Sequence, residues 1–330
     1  MGEPPGRTRE GERLKILQVT VPEETTPPAK YGGVQWVVAW LCDVLVALGH
    51  EVHLVGPEGS HVEGCIHHFV PAGTLEPELA QEALRVADAV GPDIIHDHNN
   101  SQLMHRERPE LPILMTWHNK SMHRIPWVVF PSESERRRVG AERARVVPHG
   151  MVLDPFPFDA EGSDEILFLG ALHPRKQVHH VIQAALKVGA RLCLAGPVRD
   201  DAYFAQHIEP YLGDLVRWIG EIGGEEKTRA LQRARALVLP SKWESFGLVL
   251  IEAMACGTPA IANDMGASRE IIAHGQTGFV YRWQFCLRRA LARVADIDRA
   301  ECRRWVEERF TAQTMTAGYL VVYEELLAAR

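Results

Sequence analysis

Trp243-Glu244-Ser245-Phe246-Gly247-Leu248-Val249-Leu250-Ile251-Glu252-Ala253-Met254-Ala255-Cys256-Gly257-Thr258-Pro259 follows the apolar run Ala236-Leu237-Val238-Leu239-Pro240. Together they read as a buried strand over Ala236–Leu239, a loop over Ser241–Glu244, and a helix over Phe246–Ala255. That is one strand–loop–helix unit of a parallel sheet. Two carboxylates, Glu244 and Glu252, sit in this otherwise apolar stretch with seven residues between them. Apolar cores rarely hold two acids, so the pair is expected to serve a polar ligand. A helix starting near Ser245 offers free backbone N–H groups to an anion, and Gly247 lets a ligand approach the backbone closely. From Ser245 to Glu252 is about two turns, which returns Glu252 to the same face ~10 Å along the axis. That separation suits one ligand with hydroxyls at both ends and phosphates between.

The same alternation extends outward in both directions. Strands are expected at Leu14–Thr20, Val52–Val55, Ile94–His96, Ile113–Thr116, Val128–Phe130 and Val146–Val147, with helices over Val34–Leu48 and Glu76–Ala89. Pro148 to Ser163, with three prolines and two glycines, interrupts the pattern as a hinge would. It then restarts with strands at Ile166–Leu169, Leu192–Ala195, Val216–Ile219, Pro259–Ala262 and Gly278–Tyr281. Helices over Val178–Val188 and Lys227–Ala234 lie between them, and the last helix covers roughly Thr314–Ala329. Short buried strands alternating with helices imply parallel sheets covered on both faces. Ligands of such sheets bind at the carboxyl ends of strands, and the two halves are expected to face one cleft.

Composition bounds the function. A chain of 330 residues suggests two domains of roughly 100–200 residues each. The net charge of -7 argues against a broad nucleic-acid surface. No apolar run approaches the ~20 residues needed to span a bilayer. The six cysteines form no C-x-x-C pair and lie mostly in apolar runs, as expected of a reduced, cytoplasmic chain. Met1 to Arg13 lacks an apolar core and reads as a disordered leader rather than a signal peptide.

Other polar residues carry less by themselves. Lys176 follows the strand 166–169 in a Pro-Arg-Lys loop, where a cation can neutralise a departing diphosphate. Gly32-Gly33 open a helix after the first strand, but form neither a GxGxxG fingerprint nor a P-loop. His118 ends a strand at the expected cleft. His96 and His98 flank Asp97, and alternate strand residues face alike, yet no third or fourth metal ligand is visible. The pairs His67-His68 and His179-His180 have poor chelating spacing and read as surface. Arg136-Arg137-Arg138 lies in Ser134–Arg145, read as a solvated charged helix with a weak membrane or acceptor-phosphate patch as the alternative.

Taken together, E-x7-E with A-M-A-C-G-T-P-A-I-A and G-A-S-R-E-I-I-A-H-G-Q-T-G-F-V resembles the retaining GT-B glycosyltransferases of family four. The segments Y-G-G-V-Q-W-V-V-A-W-L-C-D-V-L-V-A-L-G-H-E-V, D-I-I-H-D-H, V-V-P-H-G and F-L-G-A-L-H-P-R-K resemble further parts of that family, in its order, from about residue 14 to 325. The resemblance implies an α/β, GT-B fold of two Rossmann-like doubly wound parallel-sheet domains facing a cleft. The implied division is a leader 1–13, an acceptor-side domain 14–150, a linker 151–163, a nucleotide-sugar domain 164–312, and a final helix 313–330 crossing back to the N-terminal domain.

The resemblance also implies roles. Glu244 hydrogen-bonds donor-sugar hydroxyls, and Glu252 binds the ribose. Amides of Phe246, Gly247 and Leu248 meet the sugar and diphosphate. Lys176 holds the phosphates, Gly32 and Gly33 approach them, and His118 lies near the transferred sugar. The implied reaction moves a hexosyl group from a nucleoside-diphosphate sugar to a hydroxyl of a small molecule, glycan or lipid, with retention. It uses no metal and no resident cofactor. Peripheral membrane contact is left open. Two departures stand out: the family's arginine after the strand glycine is Ala171 here, and its glycine after the lysine is Gln177. Arg175 or Arg199 would have to compensate. Rival readings are a catalytically impaired nucleotide-sugar-binding protein or partner subunit, favoured by Ala171, and a nucleotide-sugar epimerase on a similar fold.

Overall fold

The computed structural model describes residues 13–30, 32–118 and 125–330. The expected leader therefore lies outside the described residues except for Arg13. The chain divides into two compact units. Unit 1 ends at Met151 and resumes with Ala312–Arg330; unit 2 is Val152–Thr311.

Unit 1 contains β1 (Lys15–Val19), α1 (Gly33–Ala47), β2 (Glu51–Pro57), β3 (Ile66–Val70), α2 (Glu76–Val90), β4 (Ile94–Asp97), α3 (Leu103–Glu107), β5 (Ile113–Thr116), β6 (Val128–Phe130), α4 (Glu133–Val139) and β7 (Arg145–Val146). Among the described residues the sheet order is β3-β2-β1-β4-β5-β6-β7. Each pairing is parallel. The central strands are apolar because both faces are covered. On one face Leu17, Val19 and Ile95 pack with Leu79 and Ala83 of α2. Fully burying such a side chain contributes roughly 1.5–3 kcal/mol.

Unit 2 contains β8 (Ile166–Leu169), α5 (Val178–Val188), β9 (Leu192–Ala195), α6 (Asp201–His207), β10 (Val216–Trp218), α7 (Gly224–Arg233), β11 (Ala236–Leu239), α8 (Leu248–Ala255), β12 (Ala260–Asn263), α9 (Ser268–Ile271), β13 (Gly278–Tyr281), α10 (Gln284–Arg293) and α11 (Arg299–Arg309). Its order, β10-β9-β8-β11-β12-β13, is the 3-2-1-4-5-6 order of a dinucleotide-binding sheet. The chain ends in α12 (Ala312–Ala328), which belongs to unit 1 and packs against α1.

Several expectations are corrected. The helix expected from Phe246 begins at Leu248, because Gly247 has φ 100° and cannot be its first turn. The helix expected over Ser134–Arg145 is Glu133–Val139, capped by the Ser132 hydroxyl and ended by Gly140. His67-His68, expected at the surface, lie in the edge strand β3 and are partly buried. His67 Nε2 accepts the Val62 amide at 2.9 Å, and His68 lies 2.9 Å from His53. An edge strand with two central histidines lacks the apolar run that marked its neighbours. The Pro-rich stretch read as a hinge falls in unit 2 from Val152 on, with Arg303 donating to the Phe156 carbonyl (2.7 Å) and Thr228 to that of Pro155 (3.0 Å).

Candidate active site

In unit 2, β8 and β11 are hydrogen-bonded neighbours although α5, β9, α6, β10 and α7 lie between them in the chain. Their loops leave the sheet in the crevice where strand order reverses, the place where such sheets bind ligands. Lys176 ends a short 3₁₀ turn after β8, and Glu244 lies in the loop after β11. The structure brings them together: Lys176 Nζ donates to the Glu244 carboxylate. The Lys242 amide donates to the Arg175 carbonyl at 2.9 Å, so backbone and side chains both tie the loops.

Glu244 is held from behind by Gly266. The Ala267 amide donates to the Glu244 carbonyl at 3.0 Å. Gly266 has φ 62°, and a Cβ there would come within 2.0 Å of that carbonyl oxygen. Glycine is therefore required for the approach that positions the carboxylate. Sequence reading missed this residue, since a glycine in a loop has many possible reasons.

The late start of α8 changes the geometry of the second acid. Glu252 lies four residues inside the helix rather than two turns beyond its start. The ~10 Å rise expected from Ser245 to Glu252 shortens to ~6 Å from the observed helix start, while Glu244 lies in the preceding loop as expected. Among the described residues no side chain caps the N-terminus of α8, and within the first turn the Leu250 amide turns back to the Gly247 carbonyl at 2.9 Å. Phe246 is buried beneath this turn, and Leu248 begins the helix. Ser241 adds a buried hydroxyl with no partner among the described residues.

Glu252 is 4% exposed and pairs with Lys227 Nζ at 2.6 Å. Lys227 comes from the first turn of α7 and lies 5.8 Å from the Phe156 ring centroid. Nothing in the sequence marked this lysine, which follows Glu225-Glu226 on an ordinary charged helix.

Ala171 stands in the loop after β8 where the resemblance led one to expect an arginine, and the fold brings the Arg199 backbone next to this loop. The loop after β8 pairs with the loop after β9: the Leu172 amide donates to the Pro197 carbonyl (2.8 Å), and the Arg199 amide to that of Leu172 (3.2 Å). Arg199 and Arg175 are both exposed. Neither guanidinium has a side-chain partner among the described residues.

In unit 1, Gly32 precedes Gly33, the first residue of α1, and no side chain caps the helix. A Cβ at Gly32 would lie 2.7 Å from Pro28 Cγ and 2.9 Å from Gln35 Oε1, so the backbone is closely packed there. His118 follows β5. Its Nε2 is 3.1 Å from His98 Nδ1, and its ring stacks on His149 at 5.7 Å. His98 Nε2 is 3.2 Å from Gln18 Oε1. His96 Nδ1 lies 2.7 Å from the Tyr323 hydroxyl, and its Nε2 2.7 Å from Thr116 Oγ1. Burial pushes His118 down to about 4 and His96 to about 3, and holds His98 and His149 well below the ordinary histidine value. These rings are neutral near pH 7. Tyr323 comes from α12, 227 positions from His96, and sequence reading did not connect it with His118.

Two doubly wound parallel units with a cation and a carboxylate at a switch point define a nucleotide-binding α/β protein. Comparison with known proteins narrows this. The family model described as "Glycosyltransferase Family 4" matches residues 31–154, and "Glycosyl transferases group 1" matches 155–284. A solved glycosyltransferase involved in avilamycin A biosynthesis superimposes with a TM-score of 0.83 at 29% identity, covering 96% of this chain and 99% of that one. Phosphatidyl-myo-inositol mannosyltransferase of Mycolicibacterium smegmatis is 26% identical over 305 residues, 75% of this chain and 76% of that relative. Glycogen synthase of Mycobacterium tuberculosis is 34% identical over 149 residues, 42% of this chain. That match takes in only 36% of the synthase's length. The fold is GT-B, and the chain belongs to the family-four glycosyltransferases.

Proposed function

We propose that this protein is a retaining hexosyltransferase that takes a nucleoside-diphosphate sugar as donor and a hydroxyl of a small molecule, glycan or lipid as acceptor. The observation that carries the reading is the Lys176–Glu244 pair across the unit 2 switch point, with Glu252 buried in the helix that follows. Donor arrival splits the pair. The diphosphate takes Lys176, and a sugar hydroxyl donates to Glu244. Amides of Gly247 and Leu248 meet the charge at the start of α8. Glu252 accepts from the ribose hydroxyls while Lys227 holds its other side. His118 of unit 1 serves the transferred sugar, and Gly32-Gly33 serve the phosphates.

As the glycosidic bond breaks, negative charge grows on the diphosphate, and preorganised cations there lower the barrier. The proposal gives this work to Lys176, Arg175 and Arg199 rather than to a metal, and lets the diphosphate take the acceptor proton. The Leu172–Val198 bridge brings the Arg199 backbone next to the loop that carries Ala171, which supports Arg199 as the compensating cation. A catalytically impaired binding protein is therefore not the favoured reading.

A panel of UDP-, GDP- and ADP-sugars tests the donor. Ligand at a hundred times its Kd adds about 2.7 kcal/mol of stability, a clear thermal shift. Transfer is then followed by release of nucleoside diphosphate, with the product's anomeric configuration read by NMR. Glu252→Ala is expected to weaken donor binding, and Lys176→Ala mainly to lower kcat. Wild-type donor affinity in the first variant, or wild-type turnover in the second, would contradict those roles. An inverted product would contradict retention.

A further inference from the structure

His98 and Gln18 have no part in the reaction just described, yet both belong to a chain of hydrogen bonds that ends on His118. Gln18 is a polar residue in the middle of the buried strand β1, 0% exposed. It pairs in register with His96 of β4. We propose that Gln18 is a positioning residue for His118: it sets the imidazole in the tautomer with its proton on Nε2 and a bare Nδ1. His118 then meets a donor-sugar hydroxyl as a hydrogen-bond acceptor.

The assignment follows bond by bond from what each group can do. The Gln18 amide nitrogen donates only, and it lies 3.3 Å from the Tyr323 hydroxyl, so it donates to that oxygen. The Gln18 carbonyl oxygen accepts only, and it lies 3.2 Å from His98 Nε2, so that nitrogen carries a proton. His98 is buried and neutral, which leaves its Nδ1 bare. His118 Nε2, 3.1 Å from that lone pair, must be the donor. A neutral His118 then has no proton on Nδ1, and this nitrogen meets no hydrogen-bond partner among the described residues.

The other arm of the network closes consistently. The Tyr323 hydroxyl accepts from Gln18, so its own proton goes to His96 Nδ1 at 2.7 Å. His96 Nε2 then donates to Thr116 Oγ1 at 2.7 Å, and the Thr116 hydroxyl meets that of Tyr319 at 2.9 Å. Three imidazoles, an amide and three hydroxyls thus orient one another, and the Gln18 amide gives the chain its direction. In a site of low dielectric, reversing one bond requires reversing them all. The consequence for the sugar rests on the proposed role of His118; the tautomer itself does not.

The test reads the proton directly. Full-length protein labelled with ¹⁵N-histidine is examined by NMR near pH 7, with His118 signals identified by their loss in His118→Asn. The expected result is a proton on Nε2 and an unprotonated Nδ1. A proton on Nδ1, or on both nitrogens, in the wild-type protein overturns the proposal. Gln18→Met keeps the side-chain length and removes both polar atoms. It is expected to bring in the other tautomer of His118 and to lower kcat about tenfold, one hydrogen bond's worth, with the donor KM little changed. A folded Gln18→Met that keeps the wild-type tautomer also overturns it. Failure of the functional reading is distinguishable: wild-type turnover in His118→Asn removes the sugar-facing role and leaves the tautomer standing.

Discussion

Lys227 shows how one residue controls the state of another. Glu252 is nearly inaccessible, and a buried carboxylate is tolerable as an anion only because the ammonium lies 2.6 Å away. The conserved-volume change Lys227→Met strands that charge. Removing one partner of a buried pair costs about 3 kcal/mol or more, so the unfolding free energy from denaturant titration should drop by that amount. Donor affinity should drop with it, since Glu252 no longer holds a fixed charge and rotamer. Adding Glu252→Gln is expected to restore much of the stability but none of the affinity. A double-mutant cycle separates the two, and full additivity would show that the pair does not couple. Glu252 stood out in the sequence as an acid in an apolar helix. Lys227 did not, because its importance comes only from where α7 lies against α8.

At the level of elements, α12 does more than finish the chain. Its apolar side covers the unit 1 sheet face that carries Gln18, His96 and Thr116, and Tyr319 and Tyr323, four residues apart, reach them from one helix face. A chain ending at Thr311 leaves those polar groups without hydroxyls and exposes the flank of α1. Limited proteolysis should then cut unit 1 rapidly while unit 2 keeps its resistance. Equal protection of both units in the truncated chain would contradict this. The helical periodicity of 312–328 was legible, as were nearly all central strands, since continuous apolar runs can only be buried. The edge strand β3 and the short helices α3 and α6 were not. Their side chains are too mixed to carry a period, and their conformations depend on neighbours distant in sequence.

For the whole molecule, burial of ionisable groups sets the response to pH. His96, His98, His118 and His149 are held below the ordinary histidine value of ~6.5. The unfolded chain therefore takes up protons first as pH falls, and these groups withdraw stability from ~6.5 downward, His118 to about 4 and His96 to about 3. Burial pushes Asp97 the other way, up to about 8. Its contribution is complete below ~4 and is lost as pH rises toward about 8. Below ~6.5 these four imidazoles, joined by His105 and His179, which burial also pushes down to about 4, outweigh the Asp97 carboxyl, so acid destabilises. Above it only Asp97 still acts, with a slope of up to about 1.4 kcal/mol per pH unit. The melting temperature should peak near pH ~6.5. Asp97→Asn should flatten the decline on the alkaline side, and an unchanged decline would show that Asp97 is not its source. The sequence by itself determined the doubly wound strand–helix rhythm, the two acids and the family to which they belong, because these depend on local pattern and order. The tertiary structure decided which charges meet: Lys176 with Glu244, Lys227 with Glu252, and Tyr323 through Gln18 and His98 with His118. Such pairings join residues tens to hundreds of positions apart, and only strand order and helix packing bring them within a hydrogen bond.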